Sequence, residues 1–308
     1  MMDLLVTGGC GYIGSALVPL LRDDDRVGRV VVLDDLSTGS PRTLMGSLDG
    51  VEFREGDVRE YGAVESAVRD VDGVVHLAAI TGADSTHDRR EETYATNLDG
   101  TENVLTAARK VGVERVVVAS SCNVYGRATS TDIDETTSPD PINPYAETKA
   151  AAEELLAEVT AGSSTTGTAL RLSTVYGDAP GIRFNLVVNT FVFRALTGRP
   201  LTVYGDGSNW RPFIHVADAA RAYRDAVLRP EDWSEPVYNV GTNAGNYRVR
   251  EIAEVVSEEV GTTDVTYLED EHPGPSYHVN FDRVAETGYE PEYALREGVR
   301  ELARRFAA

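Results

Sequence analysis

Lysine is almost missing from this chain: of 29 basic residues only Lys110 and Lys149 are lysines, set against 50 acidic residues and a net charge of −21. Phosphate backbones need concentrated cations, so this balance excludes a nucleic-acid-binding surface. Cysteine is as scarce. Cys10 and Cys122 are too few for a disulfide framework and lack metal-type spacing, which fits a reducing compartment. No apolar run approaches the roughly 20 residues that cross a bilayer, and "MMDLLVTGG" enters a strand pattern without a basic leader. The expectation is a cytoplasmic protein with no membrane partner. No His/Asp/Glu spacing suggests a metal, and His76 and His215 read as packing residues.

What is present is an ordinary globular composition, 42% hydrophobic over 308 residues, enough to bury a sizeable core. The acid is dispersed, in runs no longer than "RDDDR" and "LEDEH". An even acidic coat that writes 27 arginines and almost no lysine resembles proteins of salt-loving archaea, in which high salt screens self-repulsion. A moderately acidic mesophile enzyme is the alternative.

Short β-branched runs recur at 3–8, 29–34, 51–57, 73–79, 115–121 and 168–177, with helix-length stretches between them. Parallel strands need crossovers of a dozen or more residues, so this alternation predicts an α/β fold, a doubly wound parallel sheet with helices on both faces. After about residue 178 the alternation loosens. Residues 1–177 are therefore expected to form the dinucleotide-binding domain, with returns near 211–229 and 237–241, and 178–308 mainly a smaller C-terminal substrate domain.

"VTGGCGYIGSALVPLL" follows the first strand and opens an amphipathic helix, with Gly8, Gly11 and Gly14 three apart. Glycines there supply a tight turn, backbone approach to a pyrophosphate, and close helix packing, with the phosphates at the helix N-terminus. Asp34 ends the second strand 20 residues after Gly14, where a carboxylate accepts hydrogen bonds from ribose hydroxyls. Together they indicate NAD. The carboxylate would repel the 2′-phosphate of NADP, and no arginine follows before Arg42. Asp57 either touches the adenine side or caps the helix "VREYGAVESAV".

In "PYAETK" Tyr145 and Lys149 lie one helical turn apart on one face. A free phenol titrates near 10, and general-base work at neutral pH asks for a shift of about three units, which a cation about 4 Å away would supply. A chain that otherwise writes Arg for Lys has a reason for a compact ammonium here, since it also reaches ribose hydroxyls.

Taken in order, "TGGCGYIG", Asp34, "HLAA", "NLDGT", "SSCNVYG", "YAETK" and "GDGSNWRPFIHVADAARA" resemble an extended short-chain dehydrogenase/reductase of the NAD-dependent sugar epimerase/dehydratase family, over nearly the whole chain. The resemblance implies a Rossmann sheet and NAD held by Gly8, Gly11, Tyr12, Ile13, Gly14, Asp34, Asp57, Val58, Leu77, Ala78, Ala79, Asn97, Tyr145 and Lys149. It implies Tyr145 as catalytic acid/base, Lys149 as its electrostatic partner, and Ser121 rather than Ser120 as the hydroxyl on the reacting sugar oxygen. Ser121, Cys122, Asn123, Thr174, Asn189 and Arg211 would face a nucleotide sugar, with Arg211 on its diphosphate. The helices over "ETYATNLDGTENVLTAARK" and "YAETKAAAEELLAEV" resemble the pair that forms a four-helix interface in homodimers of the family.

Dehydratases of this family carry an acid two residues after the position of Ser121. Here Cys122 and Asn123 follow, so no carboxylate is placed to protonate a departing hydroxyl. The expected activity is epimerisation of a UDP- or dTDP-hexose through a transient ketone; an NAD-dependent dehydrogenase of a sugar or small alcohol is the alternative. A regulator that binds the cofactor without catalysis is a third, against which the intact Ser121, Tyr145 and Lys149 stand. Thr174, His272 and Pro275 depart from the asparagine, arginine and aspartate usual in UDP-galactose 4-epimerases.

Overall fold

A computed structural model describes residues 1–47, 49–82, 85–127, 132–261, 264–268 and 274–307. The first six strands are β1 (Met2–Thr7), β2 (Val27–Asp34), β3 (Val51–Glu55), β4 (Gly73–His76), β5 (Arg115–Ser121) and β6 (Thr166–Leu172). Between them run α1 (Tyr12–Arg22), α2 (Tyr61–Ala67), α3 (Arg90–Tyr94), α4 (Gly100–Val111) and α5 (Pro144–Thr160). A π-turn over Ala95–Asp99 joins α3 to α4, so the expected single helix is interrupted. The run 168–177 is also broken: Ser173 bonds through its N–H and its hydroxyl to Val240 O, and β7 (Thr174–Tyr176) leaves for another sheet.

The remaining elements are α6 (Val187–Leu196), β8 (Leu201–Tyr204), β9 (Trp210–His215), α7 (Val216–Leu228), β10 (Val237–Val240), β11 (Asn246–Arg248), α8 (Val249–Val260), β12 (Val265–Leu268), α9 (Asp282–Glu286) and α10 (Leu295–Ala307). The main sheet has seven parallel strands in the order β10-β6-β5-β4-β1-β2-β3. This is the Rossmann arrangement, with β10 returning from late in the chain as an edge strand.

The period-two pattern of the strands sorts their side chains into two layers. Leu4, Val6, Val30, Val32, Val75 and Val117 face α1 and α7, where Leu17, Leu21, Ala219 and Tyr223 close the core. Leu5, Val31, Leu33, Val74, Val116 and Val118 face α2, α4 and α5 through Val64, Leu105, Ala108 and Leu156. Covering both faces forces near-continuous apolar strands, as the sequence shows. A third cluster holds α6, α8 and α10 on β8 and β9 through Phe191, Val192, Val203, Ile252, Val256 and Leu302. Among the described residues no helix is long and apolar enough to cross a membrane.

Strand order reverses between β1 and β4, so the loops after these strands diverge and leave a crevice at the carboxyl ends of the sheet. The third cluster walls its open side.

Candidate active site

That crevice is a cleft of about 1400 Å³, beyond the usual 300–1,000 Å³ of a small-molecule pocket and roomy enough for two nucleotide-sized ligands. Its floor is the glycine loop. Gly8 has φ +70, and a Cβ there would lie 2.7 Å from Ala78 N, so only glycine lets β1 turn beneath the β4 loop. A Cβ on Gly14 would meet Gly8 O and Gly9 Cα at 2.6 Å, so its absence lets α1 start directly on the loop. Gly11 caps α1 without a side-chain bond, leaving the helix N-terminus to a ligand. Gly11, Tyr12 and Ile13 line the cleft, while the Tyr12 hydroxyl donates to Gly177 O at 2.6 Å and ties the floor to the opposite wall.

Asp34 is buried at the end of β2 and accepts from Cys10 N and Leu36 N, both at 2.9 Å. Burial pushes its carboxyl up, and the two N–H groups hold it down against that. Each oxygen keeps a lone pair for a ribose hydroxyl. These features fit a bound dinucleotide: donors for its pyrophosphate on α1 and an acceptor for its ribose on Asp34. Val58, Leu77, Ala78 and Ala79 also line the cleft.

Two expected cofactor residues do not. Asp57 accepts from Arg59 N at 2.8 Å and pairs with its guanidinium at 2.5 Å. It therefore holds a turn ahead of α2, which starts only at Tyr61 with Glu60 as cap, so Asp57 is neither lining nor helix cap. Asn97 lies beneath the surface, accepting from Ile80 N at 2.7 Å and donating to Ile80 O and to the Thr148 hydroxyl. It fixes the β4 loop. Beside it His76 is sealed between Thr7 and Thr101, and burial together with the Lys149 charge drops its pKa to about 3, so it stays neutral.

At the other end Ser121 terminates β5 and accepts from Asn123 N at 3.2 Å, so its proton is free to be donated. Its hydroxyl also favours the ionised form of the Tyr145 phenol. Asn143 caps α5 by accepting from Ala146 N, and Pro144 presets the first turn, which aims Tyr145 into the cleft. Lys149 follows one turn on, its ammonium 5.9 Å from the Tyr145 ring centroid. The expected lowering of the phenol does not hold in the protein alone. Burial pushes Tyr145 up, with Ser121 and the Arg183 guanidinium working against it, and burial likewise draws Lys149 down to about 8. Ser120 is distinguished from Ser121 by its hydroxyl, which is committed to the buried Glu153 carboxylate.

The substrate side needs two corrections. Cys122 is buried, its thiol directed to Arg171 O, because the 3₁₀ turn after Ser121 rotates it under the strand. Asn189 is fully buried on the inner face of α6, bonded to Gly177 N, the Tyr12 hydroxyl and Arg183 O. Asn185, one turn earlier, lines the cleft in its place. Asn123 does face the cleft, donating to Ser121 Oγ and accepting from the Tyr277 hydroxyl at 2.8 Å. Arg211 stacks over Tyr277, 4.6 Å from the ring, with a buried Nη1 that has no partner among the described residues. Thr174 and Pro275 line the same end, and His272 lies outside the described residues.

Sequence reading missed Thr81, Arg183, Asn185 and Tyr277. Thr81 was within reach of the rule that ligands sit beyond strand ends, since it follows "HLAA". Arg183 carries no local pattern.

A model of the family described as "NAD dependent epimerase/dehydratase family" matches residues 4–241. The low-salt glycan biosynthesis protein Agl12 of Haloferax volcanii is 35% identical over 97% of this chain and 96% of its own. The UDP-N-acetylglucosamine 4-epimerase of Methanobrevibacter ruminantium, solved with UDP-N-acetylmuramic acid, superposes with a TM-score of 0.90 at 26% identity over 99% of this chain and 98% of that one. The UDP-glucose 4-epimerase of Thermus thermophilus, solved with NAD, gives 0.85 at 31% identity over 99% of both chains. With the glycine loop, Asp34 and the Ser121, Tyr145 and Lys149 group in one cleft, this chain belongs to the NAD-dependent epimerase/dehydratase family.

Proposed function

We propose that this protein inverts C4 of a UDP- or dTDP-hexose, with residues 178–308 mainly supplying the substrate side. The observation that carries the reading is the convergence of Ser121, Tyr145 and Lys149 with Asn123 at a cleft end that also offers Arg211, whose buried Nη1 has no partner among the described residues. Likeness to two 4-epimerases of nucleotide sugars supports it.

NAD, when bound, supplies a hydride acceptor and donor and a positive ring beside the phenol. Tyr145 takes the proton of the C4 hydroxyl as the carbon is oxidised, and returns it once the ketone has turned over. Ser121 donates to the same oxygen and holds it at the phenol. Lys149 keeps a positive charge within reach of the phenolate and of ribose hydroxyls. Arg211 fixes the diphosphate, so the sugar can rotate without release. Among the described residues, elimination of water has no general acid: the acids lining the cleft are Asp34 and Asp35 at the adenosine end and Glu92, which is paired with Arg89.

The same reading places the protein in the cytoplasm, in concentrated salt, as a homodimer through α4 and α5. The acidic coat and the family resemblance support these points, and light scattering tests the dimer.

Stoichiometry separates epimerase from dehydrogenase. With UDP- and dTDP-hexoses, product stereochemistry should change without net NADH. Turnover of free sugars only, with NADH rising in step with product, replaces the epimerase with a dehydrogenase.

A further inference from the structure

The reacting end of the cleft holds a cation that the inversion of a neutral hexose does not use. Arg183 is half-buried on the turn before α6, lines the cleft, and donates through Nη1 to the Thr81 hydroxyl and through Nε to Asn185 Oδ1 at 3.3 Å. Its charge acts on the phenols of both Tyr145 and Tyr12. The turn is held from behind: the fully buried Asn189 donates to Arg183 O at 3.0 Å and also grips Gly177 and Tyr12.

Many arginines of this acid-rich chain sit on carboxylates, as at Arg59 with Asp57, Arg171 with Glu153 and Arg296 with Glu259, while the buried Arg115 is held by the carbonyls of Ala226 and Trp233. Among the described residues Arg183 has no carboxylate within ion-pair distance, and Nη2 makes no hydrogen bond. Burial draws its pKa below the usual arginine value, with the Tyr145 and Tyr12 phenols working against it. A half-buried guanidinium with one edge open is costly unless a ligand supplies the anion, and its planar fork suits a carboxylate. A hydroxymethyl group offers one neutral oxygen and leaves the charge unpaired.

We propose that Arg183 reads a carboxylate on the sugar, so that the preferred substrate class is acidic nucleotide sugars. The proposal rests on the nucleotide-sugar reading above and narrows it. Arg183 acts in binding; the proton still moves through Tyr145.

The test uses NAD-loaded protein and calorimetry with UDP-glucuronic and UDP-galacturonic acids against UDP-glucose, UDP-galactose and UDP. The parent should favour the acidic sugars by about 10- to 100-fold, the worth of charge-assisted hydrogen bonds. Arg183→Gln, which can still bond Thr81, should erase that ratio while UDP and NAD affinities hold, and Arg183→Lys should restore part of it. Parity or a preference for neutral sugars in the parent overturns the proposal. So does an equal loss for both sugar classes in Arg183→Gln. A fall in NAD affinity with that variant assigns Arg183 to the cofactor and also overturns it. Product analysis on the same samples keeps the two readings apart. Arg183-dependent binding of an acid that is not inverted sustains this proposal and sinks the epimerase; inversion of UDP-glucose with no acid preference does the reverse.

Discussion

Lys149 and Glu153 sit one turn apart on α5, both buried, yet the carboxylate belongs to others: it pairs with Arg171 at 2.6 Å and accepts from Ser120. Lys149 therefore feels Glu153 only at a distance, and burial brings its pKa from 10.5 to about 8.

The pH dependence of stability follows with a definite sign. A lysine depressed in the folded state binds fewer protons folded than unfolded between about pH 8 and 10.5. Folding stability due to this group therefore rises with pH through that window, and the cost of burying the ammonium is full below it. Lys149→Met removes the group, so the difference in melting temperature between variant and parent should shrink as pH goes from 8 to 10. A constant difference contradicts the assignment.

Tyr145→Phe keeps the ring and removes the phenol. Turnover should fall by about 10²-fold or more, with NAD binding retained, because proton transfer has no substitute at that position. Near-parental turnover would mean that another group carries the proton.

Breaking the pair beneath the site should cost stability before chemistry. Glu153→Gln leaves Arg171 buried without its bidentate partner, a loss of about 3–5 kcal/mol for a buried pair. Denaturant unfolding measures it, and a change below about 1 kcal/mol would show that the network tolerates a neutral amide.

Much of this was legible in sequence for one physical reason: strands, glycine loop and the Tyr145–Lys149 pair are set by local spacing. The alternation of strand and helix lengths decided the doubly wound sheet, and four residues on a helix decided that phenol and ammonium share a face. Cys122 and Asn189 were misread because their directions depend on a 3₁₀ turn and on which side of α6 meets Tyr12. Arg183 was invisible because its lack of an ion-pair partner among the described residues is a tertiary property; nothing in "GIRFN" says which groups surround it. The phenol's upward shift was missed likewise, since burial of the site outweighs one neighbouring charge.

Asp34 sets cofactor choice. Its carboxylate is fixed by Cys10 N and Leu36 N and confronts whatever sits on the ribose. Calorimetry should show NAD binding well ahead of NADP, and Asp34→Ala should narrow the gap by weakening NAD and relieving repulsion of the 2′-phosphate. Equal affinities in the parent sink the assignment.

The acidic coat makes the last prediction. Surface pairs such as Arg300 with Glu259 and Lys110 with Glu65 neutralise some carboxylates, but exposed pairs contribute little and salt weakens them. Against that small loss stands a net charge of −21 whose self-repulsion acts on the folded chain at low ionic strength. The Debye length falls from about 30 Å at 0.01 M to about 3 Å at 1 M, so screening removes repulsion across the whole surface while the local pairs lose far less. Potassium chloride isolates this effect from the preferential exclusion that sulfate would add. The melting temperature should therefore rise from low to molar potassium chloride. A flat or falling curve would show that local pairs, and not the excess charge, govern the response to salt.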